Sequence, residues 1–221
     1  MAINNVLTSA ALAAICLAAG FGQDAKRTIQ PVVDNERVIV WDVTWTKGQT
    51  NPARGHDRGA VVLWVMGGTV RTLTGITNRS RGQAFFSAKG DERREQGVAE
   101  NGDAPRSLVI ELKDHSVAPI ENKTGYPNAF PRPHVKKLLE NDRVVVWSYR
   151  WNPGEPTPMH FHDKDVVVVY LEDTALTSTT PDGAKTLNDY KAFDIRFNKR
   201  DRTHTELLER GTGSAMMMEL K

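Results

Sequence analysis

The sequence predicts an all-β protein built from two tandem barrels or sandwiches. Short runs rich in Val, Ile and Trp recur along the chain, and clusters of Gly, Pro, Asn and Asp bound them, as is typical of antiparallel strands. The stretch from Asn35 to Val65 repeats without a gap from Asn141 to Leu171, with identical residues at 12 of the 31 paired positions. At 221 residues the chain has room for two domains of about 100 residues, each with its own core.

Six runs are predicted to be strands, three in each copy of the repeat. They are Arg37–Trp45, Val61–Met66, Ser107–Leu112, Arg143–Trp151, Val166–Leu171 and Ala215–Leu220. The tryptophans repeat at even spacing and are predicted to pack in the core: Trp41 and Trp45, then Trp147 and Trp151. Three prolines between Asn122 and Pro133 indicate a linker, so we place the domain boundary near residue 130. Beyond the N-terminal segment, a helical turn is expected only near Pro133 to Leu139.

The first 22 residues differ from the rest. Val6 to Phe21 is an almost uninterrupted apolar run, and a polar run from Gly22 to Arg27 follows it. This pattern is typical of a secretory signal peptide, and it predicts cleavage before Gln23, a secreted or periplasmic location and no membrane association once processed. Because the first five residues lack Lys and Arg, an uncleaved apolar helix stays open as the alternative. Cys16 is the only cysteine, so cleavage would leave no thiol and no disulfide.

The composition is that of an ordinary globular protein. Hydrophobic residues make up 39% and charged residues 25%, and the formal net charge is +2. So small a charge gives no global electrostatic reason to expect nucleic acid. The expected partner is a small-molecule substrate or ligand, and self-association into a homo-oligomer is left open.

Two histidines in the second copy predict half of a metal site. Successive side chains on a strand point to opposite faces, so His160 and His162 share one face. Gly154–Pro158 leads into them as a turn. Neutral imidazole binds Fe, Mn, Ni, Cu or Zn well, and a site needs at least one more ligand. His204, about forty residues later at the start of another apolar run, is the best candidate for that ligand.

Gly154, His160 and His162, followed by a lone His204, resemble the two sequence motifs of cupins, and the duplication makes the chain similar to bicupins. The resemblance implies a jelly-roll-like double-stranded β-helix barrel in each copy. It also implies that two histidines and a carboxylate of the first motif, with the histidine of the second, hold one divalent transition metal. By this reading residues 23–130 are a degenerate cupin domain, and residues 131–221 are the cupin domain with the metal site.

The second copy departs from the cupin pattern at the carboxylate, whose expected position is Val166. Glu206 could replace it, because two residues from His204 it shares that face, and there it would ligate the metal or act as the catalytic acid or base. Asp165 is another candidate. Three histidines without a carboxylate would instead leave open positions for substrate or water. The alternative to every metal site is a set of polar side chains lining an empty barrel.

The second motif is incomplete as well. Its Gly, Pro, Gly and Asn are replaced by Phe193, Lys199, Asp201 and Leu208. Two functional classes therefore remain: a metal-dependent enzyme acting on a small molecule, and a non-catalytic binding or scaffold protein that has kept the barrel alone.

The first copy is predicted to be free of metal. Arg54 stands where the second copy has its first histidine, and a permanent positive charge repels a divalent cation. The counterpart of His204 is Glu95 or Gln96. Arg54 would either hold an anionic group or pair with an acid such as Glu95.

Overall fold

The computed structural model describes residues 30–50, 58–91, 95–100 and 104–221, and within these ranges the protein consists of strands without helices. The first copy contributes β1 (Val33–Asp34), β2 (Val38–Thr44), β3 (Ala60–Met66), β4 (Gly68–Thr72), β5 (Gly75–Arg79), β6 (Ala84–Ser87), β7 (Gln96–Gly97) and β8 (Arg106–Leu112). The second contributes β9 (Val135–Glu140), β10 (Val144–Arg150), β11 (His160–His162), β12 (Val166–Tyr170), β13 (Thr174–Thr179), β14 (Lys185–Tyr190), β15 (Ile195–Asn198), β16 (Arg202–Gly211) and β17 (Ser214–Leu220). None of the described segments forms an apolar helix long enough to cross a membrane.

Each copy forms a barrel from two antiparallel sheets. In the first copy a sheet of order β1-β2-β8-β3-β6 faces the smaller sheet β5-β4-β7. In the second copy a sheet of order β9-β10-β17-β12-β15 faces the sheet β11-β16-β13-β14. The two five-stranded sheets have the same strand order, element for element, as a duplicated domain would. The all-β prediction with two tandem barrels is confirmed.

All six predicted strands are present, with ends within one residue of the prediction. The helical turn expected near Pro133 to Leu139 is wrong, because this segment forms strand β9. Tyr149 of β10 lies opposite Val135, and the pairing with β10 satisfies the backbone groups that a helix would have satisfied internally. The secondary structure of this segment depends on its pairing with the edge of β10, which the local sequence does not encode.

The tryptophans lie in the cores, as predicted. Trp45 is fully buried and packs against Trp64 with 5.6 Å between ring centroids. Trp147 and Trp151 are buried inside the second barrel, and Trp41 is partly buried against the first core. Each barrel therefore closes on an aromatic interior of its own.

A third core joins the two barrels, because their five-stranded sheets pack against each other through the faces turned away from the barrel interiors. Its buried side chains are Val38, Val40, Val61, Leu63, Val65, Leu108, Ile110 and Leu112 from the first barrel, with Val144, Val146, Val167, Val169, Leu171, Met216, Met218 and Leu220 from the second. Successive residues of β2, β10 and β17 thus alternate between a barrel interior and this shared core.

Two arginines at equivalent positions of the repeat cross this interface in opposite directions. Arg37 places Nη1 2.5 Å from Asp165 Oδ2, and its Nη2 donates to the Lys221 carbonyl at 3.3 Å. Arg143 Nη2 donates to the Lys113 carbonyl at 2.8 Å. Each arginine thus reaches the carbonyl of the residue that follows the last strand of the other barrel, Lys221 after β17 and Lys113 after β8.

Candidate metal centre

The structure brings the three predicted ligands together inside the second barrel. His160 and His162 come from β11, and His204 of β16 lies directly opposite His160 in the antiparallel pairing. The candidate ligand atoms of the three side chains all lie within 4.8 Å of one another, and all three residues are buried. The two-residue spacing places both β11 imidazoles on one face, and the register of β16 supplies the third.

Hydrogen bonds to Nδ1 orient two of the three imidazoles, those of His160 and His204. His160 Nδ1 lies 2.7 Å from the Pro158 carbonyl, which only accepts, so Nδ1 carries the proton and Nε2 keeps its lone pair. His204 Nδ1 lies 3.0 Å from Ser178 Oγ, and its Nε2 is 3.1 Å from His162 Nε2. Two nitrogens each about 2.1 Å from one ion, at right angles, would be about 3.0 Å apart. The donor set therefore fits a transition metal ion.

The three histidines are uncharged at neutral pH. Burial lowers the pKa of His160 to about 3, and the positive charge of Arg132 contributes to the shift. Burial, followed by the charge of Arg202, lowers the pKa of His162 well below 6.5, and burial also lowers the pKa of His204. Neutral imidazole is the form that binds metal, so a metal would meet no competing protons at pH 7.

Glu206 lies beside the three histidines and faces the barrel interior. Its Oε2 accepts a hydrogen bond from Trp151 Nε1 at 3.1 Å and lies 3.6 Å from Arg132 Nη2. Among the described residues, the group with metal-binding spacing contains the histidines and not Glu206. Burial raises the pKa of Glu206, whereas the charge that His204 carries when protonated and the permanent charge of Arg132 lower it, and the net shift is downward. The carboxylate is therefore ionised at neutral pH and lies next to the three histidines.

The other candidate for the missing carboxylate, Asp165, does not join the histidines. Its two oxygens are bound by Arg37 and by the backbone N–H of Arg200, at 2.5 and 2.9 Å. Val166, at the expected carboxylate position, is buried in the apolar interior of the second barrel. The site has three imidazoles and no carboxylate in the motif position.

Arg132 is the site residue that sequence reasoning missed. The segment before it pairs with β11: Phe161 N–H donates to the Pro127 carbonyl at 2.9 Å, and Ala129 N–H donates to the Phe161 carbonyl at 2.8 Å. This places Arg132 in the pocket, with Nη1 2.6 Å from His160 Nε2. The prolines made the segment resemble a linker, and no spacing relates Arg132 to the histidines. Only the tertiary path of the chain does.

In the first barrel, Arg54 lies outside the described residues. Glu95, the acid that sequence reasoning offered as its partner, is buried and forms an ion pair with Arg79, whose Nη2 is 2.5 Å from Glu95 Oε1. The pairing of Glu95 with Arg54 stays a prediction. The Arg79 guanidinium also packs on the rings of Trp64 and Phe85, 5.7 and 5.0 Å from their centroids. Glu95, at the position that corresponds to His204, is therefore paired with an arginine that is itself packed between aromatic rings.

Two of the residues that stand at glycine positions of the second motif have a backbone conformation that favours glycine. Phe193 and Asp201 have φ angles of 73° and 64°, in the left-handed region that costs a side-chain-bearing residue about 1–2 kcal/mol. Asp201 N–H donates to the carbonyl of His162 at 2.8 Å, so this turn is hydrogen-bonded to strand β11. Both positions therefore have the left-handed backbone that glycine adopts without strain.

Comparison with known proteins agrees with this architecture. No family model matches the chain. The beta-alanine degradation protein BauB of Pseudomonas aeruginosa is 40% identical over 60 residues, which cover 27% of this chain and 59% of that protein, so the match spans less than two thirds of the relative.

Three solved structures share the fold over most of both chains. A Cupin 2 conserved barrel domain protein from Leptotrichia buccalis is 13% identical, with 87% of this chain and 88% of that one covered and a TM-score of 0.56. A putative glyoxylate induced protein from Pseudomonas aeruginosa is 13% identical, with 84% and 75% covered and a TM-score of 0.61. Oxalate decarboxylase from Bacillus subtilis is 12% identical, with 84% and 69% covered and a TM-score of 0.53.

The chain therefore has the bicupin fold, two tandem cupin barrels, as the resemblance implied. The second barrel contains a three-histidine group that could hold a divalent metal ion.

Proposed function

We propose that this bicupin is an exported protein that binds one divalent transition metal ion through His160, His162 and His204 and acts on a small molecule. The convergence of three neutral, buried imidazoles carries the proposal. Fe, Mn, Ni, Cu and Zn all suit such ligands. A bound ion would supply Lewis-acid or oxygen-activating chemistry, with positions left open for the small molecule.

The neighbouring side chains suit an active site. Glu206 is ionised beside the histidines and is held by Trp151, so at neutral pH it would accept a proton from a bound small molecule. The buried hydrophobic cluster of the second barrel, which includes Trp151, the hydrogen-bond donor to Glu206, reduces the exposure of this side chain to 14%. We assign the catalytic role to Glu206 for these reasons.

Similar proteins support a metal and a small molecule in general terms. The structure of the Bacillus subtilis oxalate decarboxylase is described with Mn(II) centres, and the BauB name refers to beta-alanine degradation. Manganese is accordingly one of the metals to test first. Export rests on the apolar run from Val6 to Phe21, which lies outside the described residues.

A second candidate function is a non-catalytic cupin that binds a small molecule without a metal. Two observations favour it: Val166 replaces the motif carboxylate, and Arg132 Nη1 lies 2.6 Å from the His160 lone pair that a metal would need. In this reading the imidazoles and Arg132 serve as hydrogen-bonding groups for the ligand.

Elemental analysis of the purified protein separates the two functions. The metal-binding proposal expects one transition metal ion per chain, lost on replacing His162→Ala and retained in the matched control His134→Ala, whose imidazole is exposed. Protein that stays metal-free after equilibration with Mn, Fe, Ni, Cu or Zn would favour the non-catalytic function.

A further inference from the structure

We propose that Arg132 binds the carboxylate of a small anionic ligand in the second barrel. The inference deepens the proposed function by naming the ligand class, and it rests on that function in placing the ligand beside the three histidines. Arg132 belongs to the segment that leads from the first barrel into the second, and its side chain is only 5% exposed.

The guanidinium of Arg132 is held rigidly. It lies over the ring of Tyr149 with 4.3 Å to the centroid and over the ring of Phe130 with 5.1 Å. These two aromatic contacts orient the plane of the guanidinium in the pocket. Binding would therefore order few additional side-chain rotamers, which favours recognition of a planar group.

The acceptors now available to this guanidinium match it poorly. Nη1 meets an imidazole lone pair of His160 at 2.6 Å, and Nη2 donates to the thioether sulfur of Met217, a weak acceptor, at 3.8 Å. Nη2 also forms an ion pair with the Glu206 carboxylate at 3.6 Å, which is longer than a hydrogen bond. Nε is buried and finds no partner among the described residues. A buried N–H without a partner is costly, and a carboxylate that accepts two parallel hydrogen bonds from an arginine removes that cost.

The charges in the pocket favour an anion. Arg132 and Arg202 carry permanent positive charges and are partly or fully buried, and Glu206 is the carboxylate beside them. Among these three side chains the cations outnumber the carboxylate by one, and a divalent metal would add two further positive charges. A monoanionic or dianionic carboxylate would offset this charge.

A small cavity lies close to this position. Its volume is about 90 Å³, and its lining residues are Pro133, His134, Tyr149, Asn152, Glu155, Pro156, Thr157 and Pro158. Two of them contact the residues of the site: the ring of Tyr149 packs against the Arg132 guanidinium, and the Pro158 carbonyl accepts a hydrogen bond from His160.

Binding of acetate tests the proposal, with its neutral analogue acetamide as the ligand control. Saturation-transfer NMR would be recorded on the full chain, both metal-loaded and after treatment with a chelator. We expect acetate to bind and acetamide to bind at least about tenfold more weakly, because a hydrogen-bonded charge contributes about 1.5–3 kcal/mol. Equal binding of the two compounds, or no binding of acetate, would overturn the proposal without any variant.

Variants then assign the effect to one residue. Arg132→Gln should weaken acetate binding by about 10- to 100-fold, and Arg132→Lys should weaken it less, because lysine keeps the charge but not the planar pair of N–H groups. Arg150→Gln, which removes the same charge from an exposed residue of β10, should bind like the wild type. Acetate affinity unchanged in Arg132→Gln would refute the assignment. If Arg132→Gln does not fold, Arg132→Lys decides by the same comparison.

Metal affinity provides a second measurement that a merely structural role would not reproduce. Arg132 occupies the His160 Nε2 lone pair that a metal ion would need, and its positive charge would repel the ion. Arg132→Gln should therefore bind the metal about tenfold more tightly in a competition titration. Weaker metal binding in this variant would count against the inference.

The two proposals can fail separately. Acetate binding that depends on Arg132 in a protein that takes up no metal would reject the proposed metal function and support the inference. Metal uptake together with acetate binding that does not depend on Arg132 would support the proposed metal function and reject the inference.

Discussion

Replacing Arg37→Ala should lower the free energy of unfolding by about 3–5 kcal/mol, because the change leaves a buried carboxylate without its cation. The side chains of Arg37 and Asp165 are 4% and 10% exposed, and their charged atoms are 2.5 Å apart across the interface between the barrels. The alanine variant also loses the hydrogen bond to the carbonyl of Lys221. The backbone N–H of Arg200 alone would then stabilise the Asp165 charge.

The repeat supplies a matched control. Arg143 occupies the equivalent position, but its acidic partner Asp114 is 75% exposed and 3.5 Å away, so Arg143→Ala should cost about 1 kcal/mol. Urea unfolding at pH 7, followed by tryptophan fluorescence and circular dichroism, would measure both losses. Combining Arg37→Met with Asp165→Asn should restore part of the stability, because no unpaired charge then remains. Equal losses for Arg37→Ala and Arg143→Ala would refute the claim that burial makes the first pair different.

Three further predictions concern the histidines and the N-terminal segment. Below pH 6.5 the metal-free protein should lose stability, because the pKa of His160 is about 3 in the folded chain against 6.5 for a free histidine, so the unfolded chain binds more protons. His160→Gln should reduce the slope of the unfolding free energy against pH by about 1.4 kcal/mol per pH unit. Equal slopes for the variant and the wild type would mean that His160 is protonated in the folded chain. Purified protein should hold at most one transition metal ion per chain, and two would contradict the role given to Arg54. N-terminal sequencing of exported protein should begin near Gln23, and a start at Met1 or Ala2 would contradict cleavage.

Much of the fold and of the histidine group could be predicted from local patterns. The period of two places His160 and His162 on one face whatever the rest of the chain does. The paired tryptophans of the two copies similarly marked equivalent strands, and all of these strands form. Such predictions hold because strand geometry is local and because the repeat doubles each observation.

The pocket wall and the shared core could not be predicted in the same way. Arg132 reaches His160 only because residues 127–129 pair with β11, some thirty residues further along the chain. The core between the barrels had a signal in the uninterrupted run Val166–Val169, since a strand that is apolar at every position is buried on both faces. That run says nothing of which surface covers the second face. The identity of the covering surface depends on the packing of the two barrels.

The reciprocal reach of Arg37 and Arg143 gives the molecule an approximate twofold relation between its halves. A cut between β8 and β9 would therefore produce two fragments that each present an apolar sheet shaped to receive a sheet like itself. The second fragment would present Val144, Val167 and Met216 to water, and it would lose the cation that balances Asp165. Covalent linkage holds the two apolar sheets at a high effective concentration relative to each other. The sheet of the barrel that contains the histidines is therefore covered by the first barrel of the same chain rather than by a second molecule.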